Sequence, residues 1–313
     1  MARILAYPLG VCYRRNMHSI PRQLATFAAV LAVLYAGGFI AGQFIETGGH
    51  SGEDMGSPHS QPGSGDAHSG EHTTRAGAAP AVVRGLAVAE QGLRLVLETP
   101  ELRRGRRSEL RFSVVAGDGR PVRTFDVAHE KRMHLIVVRR DATGFQHLHP
   151  ELGEDGAWTA SVTLKEAGTY RVFADFTRGG KPLTLASDLR VDGDARLEPL
   201  PAPRDVAAAG GGYEVRLDAG DPAAGREGEL EFTVTRDGRP VETEPYLGAG
   251  GHLVALREGD LAYLHVHPTG NGEGETGVGF AATFPTEGRY RLFLQFKHRG
   301  QVRTAAFTQP VSR

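Results

Sequence analysis

The fold class predicted by this sequence is all-β: two tandem β-sandwich modules behind an N-terminal transmembrane helix and a disordered linker. Three observations carry that prediction. A long block of sequence occurs twice, "LRFSVVAGDGRPV" from Leu110 being answered by "LEFTVTRDGRPV" from Leu230, and "GTYRVFADF" from Gly168 by "GRYRLFLQF" from Gly288. Ordered anchor points of this kind mark internal duplication. Within each copy, short runs of alternating or β-branched residues are separated by turn signals, the pattern of a sandwich. Past residue 45 no amphipathic helical run of useful length interrupts them.

Taken in order, residues 1–23 read as a cytoplasmic N-terminus, because Arg3, Arg14, Arg15 and Arg22 precede the first apolar run with no acidic residue before Glu46 and positive charge stays inside. Residues 24–45, "LATFAAVLAVLYAGGFIAGQFI", are long enough as a helix to cross the ~30 Å hydrocarbon core of a bilayer. A cleaved signal peptide is the competing reading, but the run exceeds the ~7–15 residues of a signal h-region. Everything after Glu46 is then expected to face outward, anchored to the cell membrane by a single pass. Residues 46–85 are almost free of aliphatic and aromatic side chains until near their end, so they cannot bury enough surface to offset chain entropy and read as a disordered tether. His50, His59, His68 and His72 lie there beside acidic residues, either as a loose metal-catching tract or as a hydrophilic spacer.

The two modules are placed at residues 86–193 and 212–313, joined by a Pro/Ala/Gly-rich linker at 194–211. In the first, "LRLVLE", "ELRFSVV", "HLIVVRR", "WTASVTL" and "YRVFADF" are the strands, and Asp118-Gly119, like Asp237-Gly238 in the second, is a hairpin-turn dipeptide. "RGGK" at Arg178 to Lys181 and "HRG" at His298 to Gly300 look like equivalent hairpin tips.

Each module writes His-x-His-Pro once, in "FQHLHPE" and "YLHVHPT", and each precedes it with a strand that begins on histidine. Residues i and i+2 of a strand share a face. With the intervening turn centred near Asp141-Ala142, His134 stands opposite His149, ~4.5–5.5 Å away at Cβ; a centre shifted by one residue makes them diagonal neighbours at ~7–8 Å, still within reach of one ion, whereas a three-residue loop would send His134 to the other face. The expected cluster is His134, His147 and His149, repeated as His252, His265 and His267 at one constant offset. Ile136, Val138 and Phe145 share that face, so a packed, hydrogen-bonded role competes with a metal site. Each neutral ring needs both a donor and an acceptor partner, which makes three imidazoles hard to satisfy without an ion. His129, Glu130, Asp175 and Glu151 are candidates to orient the first set, while Leu247, Gly248, Gln295 and Thr269 take their places in the second. The only cysteine, Cys12, precedes the apolar run, and only Met55 and Met133 offer thioethers outside the membrane. Disulfides, thiolate sites and blue copper are therefore excluded from the modules. An imidazole set suits copper first and zinc second.

A net charge of −1 and a lone basic cluster, "RRGRR", give no sign of a nucleic-acid partner. The enzyme readings are thin. His147 to Glu154 mimics the start of a cupin metal motif, but Gly272 stands where the second copy needs its carboxylate. His129 to His134 is one residue too long for a zinc-protease helix motif, and no nucleophile elbow, phosphate loop or dinucleotide fingerprint appears. The expectation is a binding protein without catalysis: an extracytoplasmic divalent-ion capture or buffering module, or alternatively a structural or protein-interaction sandwich contacting another envelope component.

The segments "MHLIVVRRDATGFQHLHPE", "GTYRVFADF", "PYLGAGGHLVALREGDLAYLHVHP" and "YRLFLQFKHRGQVRTAAF" resemble membrane-anchored or secreted heavy-metal-binding proteins of high-GC actinobacteria and, more loosely, the YtkA-like immunoglobulin-type modules. The resemblance spans about residues 86–311. It implies two immunoglobulin-like sandwiches facing outward and a link to metal handling.

Overall fold

The computed structural model describes residues 83–264, 266–269 and 277–313. The expected cytoplasmic start, the membrane span and the histidine-rich tether up to residue 82, together with His265, lie outside the described residues. The expected disordered tether extends to residue 85, but Arg84 and Gly85 are ordered by backbone hydrogen bonds to Tyr263 and Thr184. No helix occurs among those described. Module 1 consists of β1 (Ala89–Glu90), β2 (Leu93–Leu97), β3 (Glu101–Leu102), β4 (Arg107–Ala116), β5 (His134–Arg139), β6 (Gln146–Leu148), β7 (Glu151–Leu152), β8 (Trp158–Thr163), β9 (Gly168–Arg178) and β10 (Lys181–Val191). Its two sheets run β1-β2-β4-β8-β7 and β3-β10-β9-β5-β6. Module 2 consists of β11 (Val206–Gly210), β12 (Tyr213–Asp218), β13 (Glu227–Arg236), β14 (Arg239–Pro240), β15 (His252–Arg257), β16 (Tyr263–Leu264), β17 (His267–Pro268), β18 (Gly277–Thr283), β19 (Gly288–His298) and β20 (Gln301–Val311). Its sheets run β11-β12-β13-β18-β17 and β16-β15-β19-β20.

Each module closes on its own core between its two sheets. Leu110, Phe112, Leu135, Val137, Trp158 and Val172 lie in the first core, and Phe232, Leu253, Ala255, Phe280, Leu292 and Leu294 in the second. β12 shows the alternation of a strand with one wet face, buried and exposed by turns. The long hairpins β9–β10 and β19–β20 turn at Gly179-Gly180 and Arg299-Gly300, all four at positive φ, as two-residue primed turns require. Both expected hairpin tips are in place. Tyr170 donates its hydroxyl to the Glu166 carbonyl at 2.9 Å, and Tyr290 does the same to Thr286 at 3.0 Å. A tyrosine pinning the backbone a few residues upstream marks the corner of an immunoglobulin-like sandwich.

β5 departs from alternation, being buried along its whole length. Leu135 and Val137 point into the core of module 1, whereas Ile136 and Val138 enter a third cluster with Phe173, Ala186, Val254, Leu256, Tyr263 and Phe293. That cluster is a seam between the modules, made by the outer faces of homologous sheets. Its contacts come in exchanged pairs: Phe145 stacks on Phe293 at 4.1 Å and 7°, while Tyr263, which occupies Phe145's place in module 2, meets Phe173, the counterpart of Phe293, at 5.6 Å. Such reciprocity is the pattern of an isologous interface, written here within one chain.

The N-terminal strap of the described chain runs into the seam. Tyr263 donates its amide to the Arg84 carbonyl at 2.9 Å, Gly85 donates to Thr184 at 3.2 Å, and the Arg171 guanidinium donates to the carbonyls of Gly85 and Leu86. Gly85 has φ +69, and a Cβ there would lie 2.8 Å from both Phe173 and Tyr263. Gly85 is thus wedged between the modules.

Candidate functional site

The strand pairing follows the centred turn. Leu135 faces Leu148, Ile136 faces His147 and Val137 faces Gln146, so the register extends to place His134 across from His149. The turn holds this register through Asp141, which accepts from the Arg139 guanidinium and from the Thr143 hydroxyl, with Ala142 at φ +58. His149 follows the end of β6, and Pro150, which has no amide to donate, leads the chain across to β7 in the opposite sheet. The Pro of His-x-His-Pro marks the corner of the sandwich and leaves His149 on the bend.

His134, His147 and His149 converge, one ring nitrogen from each lying within 4.8 Å of the others. His134 is 3% exposed and the other two are half-buried. Its Nε2 lies 3.2 Å from the Ala128 carbonyl, and its Nδ1 lies 3.0 Å from His147 Nε2. His147 Nδ1 lies 2.6 Å from Gln295 Oε1, and the Gln295 amide nitrogen turns toward Thr304 Oγ1 at 3.4 Å. The Ala128 carbonyl only accepts, so His134 carries its proton on Nε2 and its Nδ1 is an acceptor toward His147. The side-chain amide of Gln295 can present either its oxygen or its nitrogen to His147 Nδ1; in the second orientation His147 donates Nε2–H to His134 and both rings are paired within the protein. His149 Nε2, enclosed and without a hydrogen-bond partner, is unpaired in either orientation.

Burial keeps these rings neutral. It lowers His134 to about 4, against the opposing pull of the Ala128 hydrogen bond and the Asp175 charge, and lowers His147 to about 3 and His149 to about 4. Asp175 pairs with His134 across β5 and β9 and accepts from Thr184 Oγ1 at 2.6 Å. Burial raises its pKa, with the Thr184 bond acting the other way. The Ala128 carbonyl is aimed by a two-residue turn in which His129 and Glu130 both have positive φ, +48 and +64. Two adjacent non-glycine residues in this region are uncommon and carry strain of order 1–3 kcal/mol each. From solvent, an open groove lined by Arg107, Glu109, Leu148, Glu151 and Ser161 leads to His149.

The second set is placed differently. His252 lies in the seam, its ring stacked on His134 at 5.6 Å and 10° and standing 4.6 Å from His147, with Nδ1 enclosed and unpartnered. His267 is exposed and pairs with Ala281 in the opposite sheet, because the second copy changes sheets earlier along its motif. His265 lies outside the described residues. Among the orienting candidates, Glu130 and Glu151 are exposed. Gln295, which takes the place of Asp175 in the second module, holds a histidine of the first. Sequence reasoning missed that exchange because nothing local to either module says which residues of the other it meets.

A family model, described as Domain of unknown function (DUF8832), matches residues 87–193 and again 207–313. The chain belongs to this DUF8832 family. Its two matches coincide with the two sandwiches and bear out the tandem duplication, while their description assigns no chemistry. No curated protein matches the chain. Solved structures it is similar to include the Escherichia coli adhesin FdeC (14% identity, 72% of this chain and 66% of that one, TM-score 0.25), domains 4 and 5 of the S-layer protein SbsC (12%, 72% and 100%, 0.23) and the Yersinia pseudotuberculosis adhesin InvE (13%, 69% and 58%, 0.21). The chain thus spans less than two thirds of the FdeC and InvE structures, and scores this low carry no functional argument.

Proposed function

We propose that this DUF8832 protein captures or buffers a divalent metal ion, copper before zinc, at His134, His147 and His149, and that it does so outside the membrane, tethered to an anchor at residues 24–45. It is a binding protein rather than an enzyme. The observation that carries the reading is the convergence of three neutral imidazoles, one ring nitrogen of each within 4.8 Å of the others, with His149 Nε2 enclosed and without a hydrogen-bond partner. His134 and His147 also hold their remote nitrogens against the Ala128 carbonyl and the Gln295 side chain, the arrangement that orients metal-bound imidazoles. An ion at the usual 2.0–2.1 Å from His134 Nδ1 and His147 Nε2, which lie 3.0 Å apart, would subtend roughly 95°. That angle suits tetragonal Cu(II) better than tetrahedral Zn(II).

A second reading, a structural or protein-interaction tandem without metal, is favoured by a specific observation: the histidines sit inside a packed seam, where the His147–Gln295 bond and the His134–His252 stack already join the modules. Cu(II) and Zn(II) titration of the full chain, with His50, His59, His68 and His72 changed to Asn, separates the two. Saturable binding at micromolar concentration or tighter, lost in His147→Ala/His149→Ala, supports metal capture. A stable wild-type chain that binds neither ion leaves the histidines as mortar.

A further inference from the structure

The two His-x-His-Pro motifs would naturally be read as two independent sites. The seam argues otherwise. Homologous faces meet across it in reciprocal pairs, and His134 and His252, equivalent residues of the two modules, lie with near-parallel rings 5.6 Å apart across it. We infer that the chain holds one shared site instead of two, with His252 of module 2 as the fourth imidazole, and that occupancy pins the modules against each other. This rests on the metal reading above and specifies its stoichiometry, its ligand set and its effect on the tandem.

Three observations support it. His252 Nδ1 is enclosed and has no hydrogen-bond partner, an arrangement that leaves a buried polar atom unpaid in water's absence. Its ring stands beside two of the three module 1 rings, 4.6 Å from His147 and 5.6 Å from His134. Module 2 already takes part in the site through Gln295, whose side chain bonds His147 Nδ1 at 2.6 Å and holds the ring in place. The stacked ring must turn about its side-chain torsions to present Nδ1 to the ion, a rotamer change of the kind that accompanies ligand binding. An ion held by both modules then links β5 and β6 to β15, so the seam tightens when the site fills.

The test uses the full chain with its four tether histidines changed to Asn, loaded with Cu(II) alone. Calorimetry is expected to give one ion per chain, and pulsed electron paramagnetic resonance is expected to count four coordinated imidazoles. His252→Gln should reduce the count to three and weaken binding at least tenfold, whereas His267→Gln, at an exposed position in the opposite sheet of module 2, should leave four. Two ions per chain, or three imidazoles in the wild type, would overturn the shared site while leaving metal capture intact. No saturable binding by the wild type would overturn both. The wild-type imidazole count stands by itself should His252→Gln fail to fold.

Discussion

At the scale of single residues, the site turns on what holds each ring. Gln295 bonds His147 Nδ1, so Gln295→Leu should weaken Cu(II) binding by about 10–100-fold while leaving every ligand in place, the usual consequence of removing an orienting partner. Competition with a chelator of known affinity reads that loss, and an unchanged affinity would mean that Gln295 does not orient the ring. The same burial makes apo stability pH-dependent. A histidine whose folded pKa is depressed is protonated more readily in the unfolded chain, so stability is complete above about 6.5 and drains as pH falls toward the folded values of about 4 and 3. The loss is on the order of 3 kcal/mol for a ring as buried as His134. Asp175, raised by burial, works with the opposite sign. Urea midpoints between pH 7.5 and 4 should fall with a slope that flattens in His147→Gln/His149→Gln; equal slopes in both chains would contradict neutral buried rings. His134, His147 and His149 were legible as a cluster because strand parity and a centred turn suffice to bring them together. Gln295 was not, since its role depends on a face belonging to the other module.

At the scale of elements, the strap and the corners do the positioning. Gly85→Ala sets a Cβ 2.8 Å from both Phe173 and Tyr263 at φ +69 and should destabilise the chain by about 2 kcal/mol or more, combining strain with overpacking. Gly92→Ala, at φ +75 but with open space around it, should cost about 1 kcal/mol. Equal effects on the denaturation midpoint would deny that Gly85 is wedged in the seam. Tyr170→Phe should lose about 1 kcal/mol with its bond to Glu166. The strands and hairpin tips were readable from β-branched runs and Gly-containing turns. The change of sheet at Pro150 was written in His-x-His-Pro itself, yet a proline reads equally well as any strand end, so the corner emerges only once β7 is seen to pair with β8.

At the scale of the whole molecule, the seam makes two sandwiches one unit. Phe145 on Phe293 and Tyr263 on Phe173 bury large aromatic faces, so calorimetry should show a single unfolding transition. Phe293→Ala should lower stability by about 3 kcal/mol and split that transition in two; a split already present in the wild type would contradict the seam. A signal for it lay in the sequence: "HLIVV" and "HLVAL" are continuously apolar, and a strand with one wet face alternates. Those runs mark sheets covered on both sides, although they do not say by what. The central claim, an ion held at the seam by His134, His147 and His149, is tested most directly by anomalous diffraction from crystals of the Cu(II)-loaded full chain with its tether histidines replaced. The account predicts one copper peak about 2.0–2.1 Å from nitrogens of these three rings, and ordered rings with no anomalous density between them would contradict it.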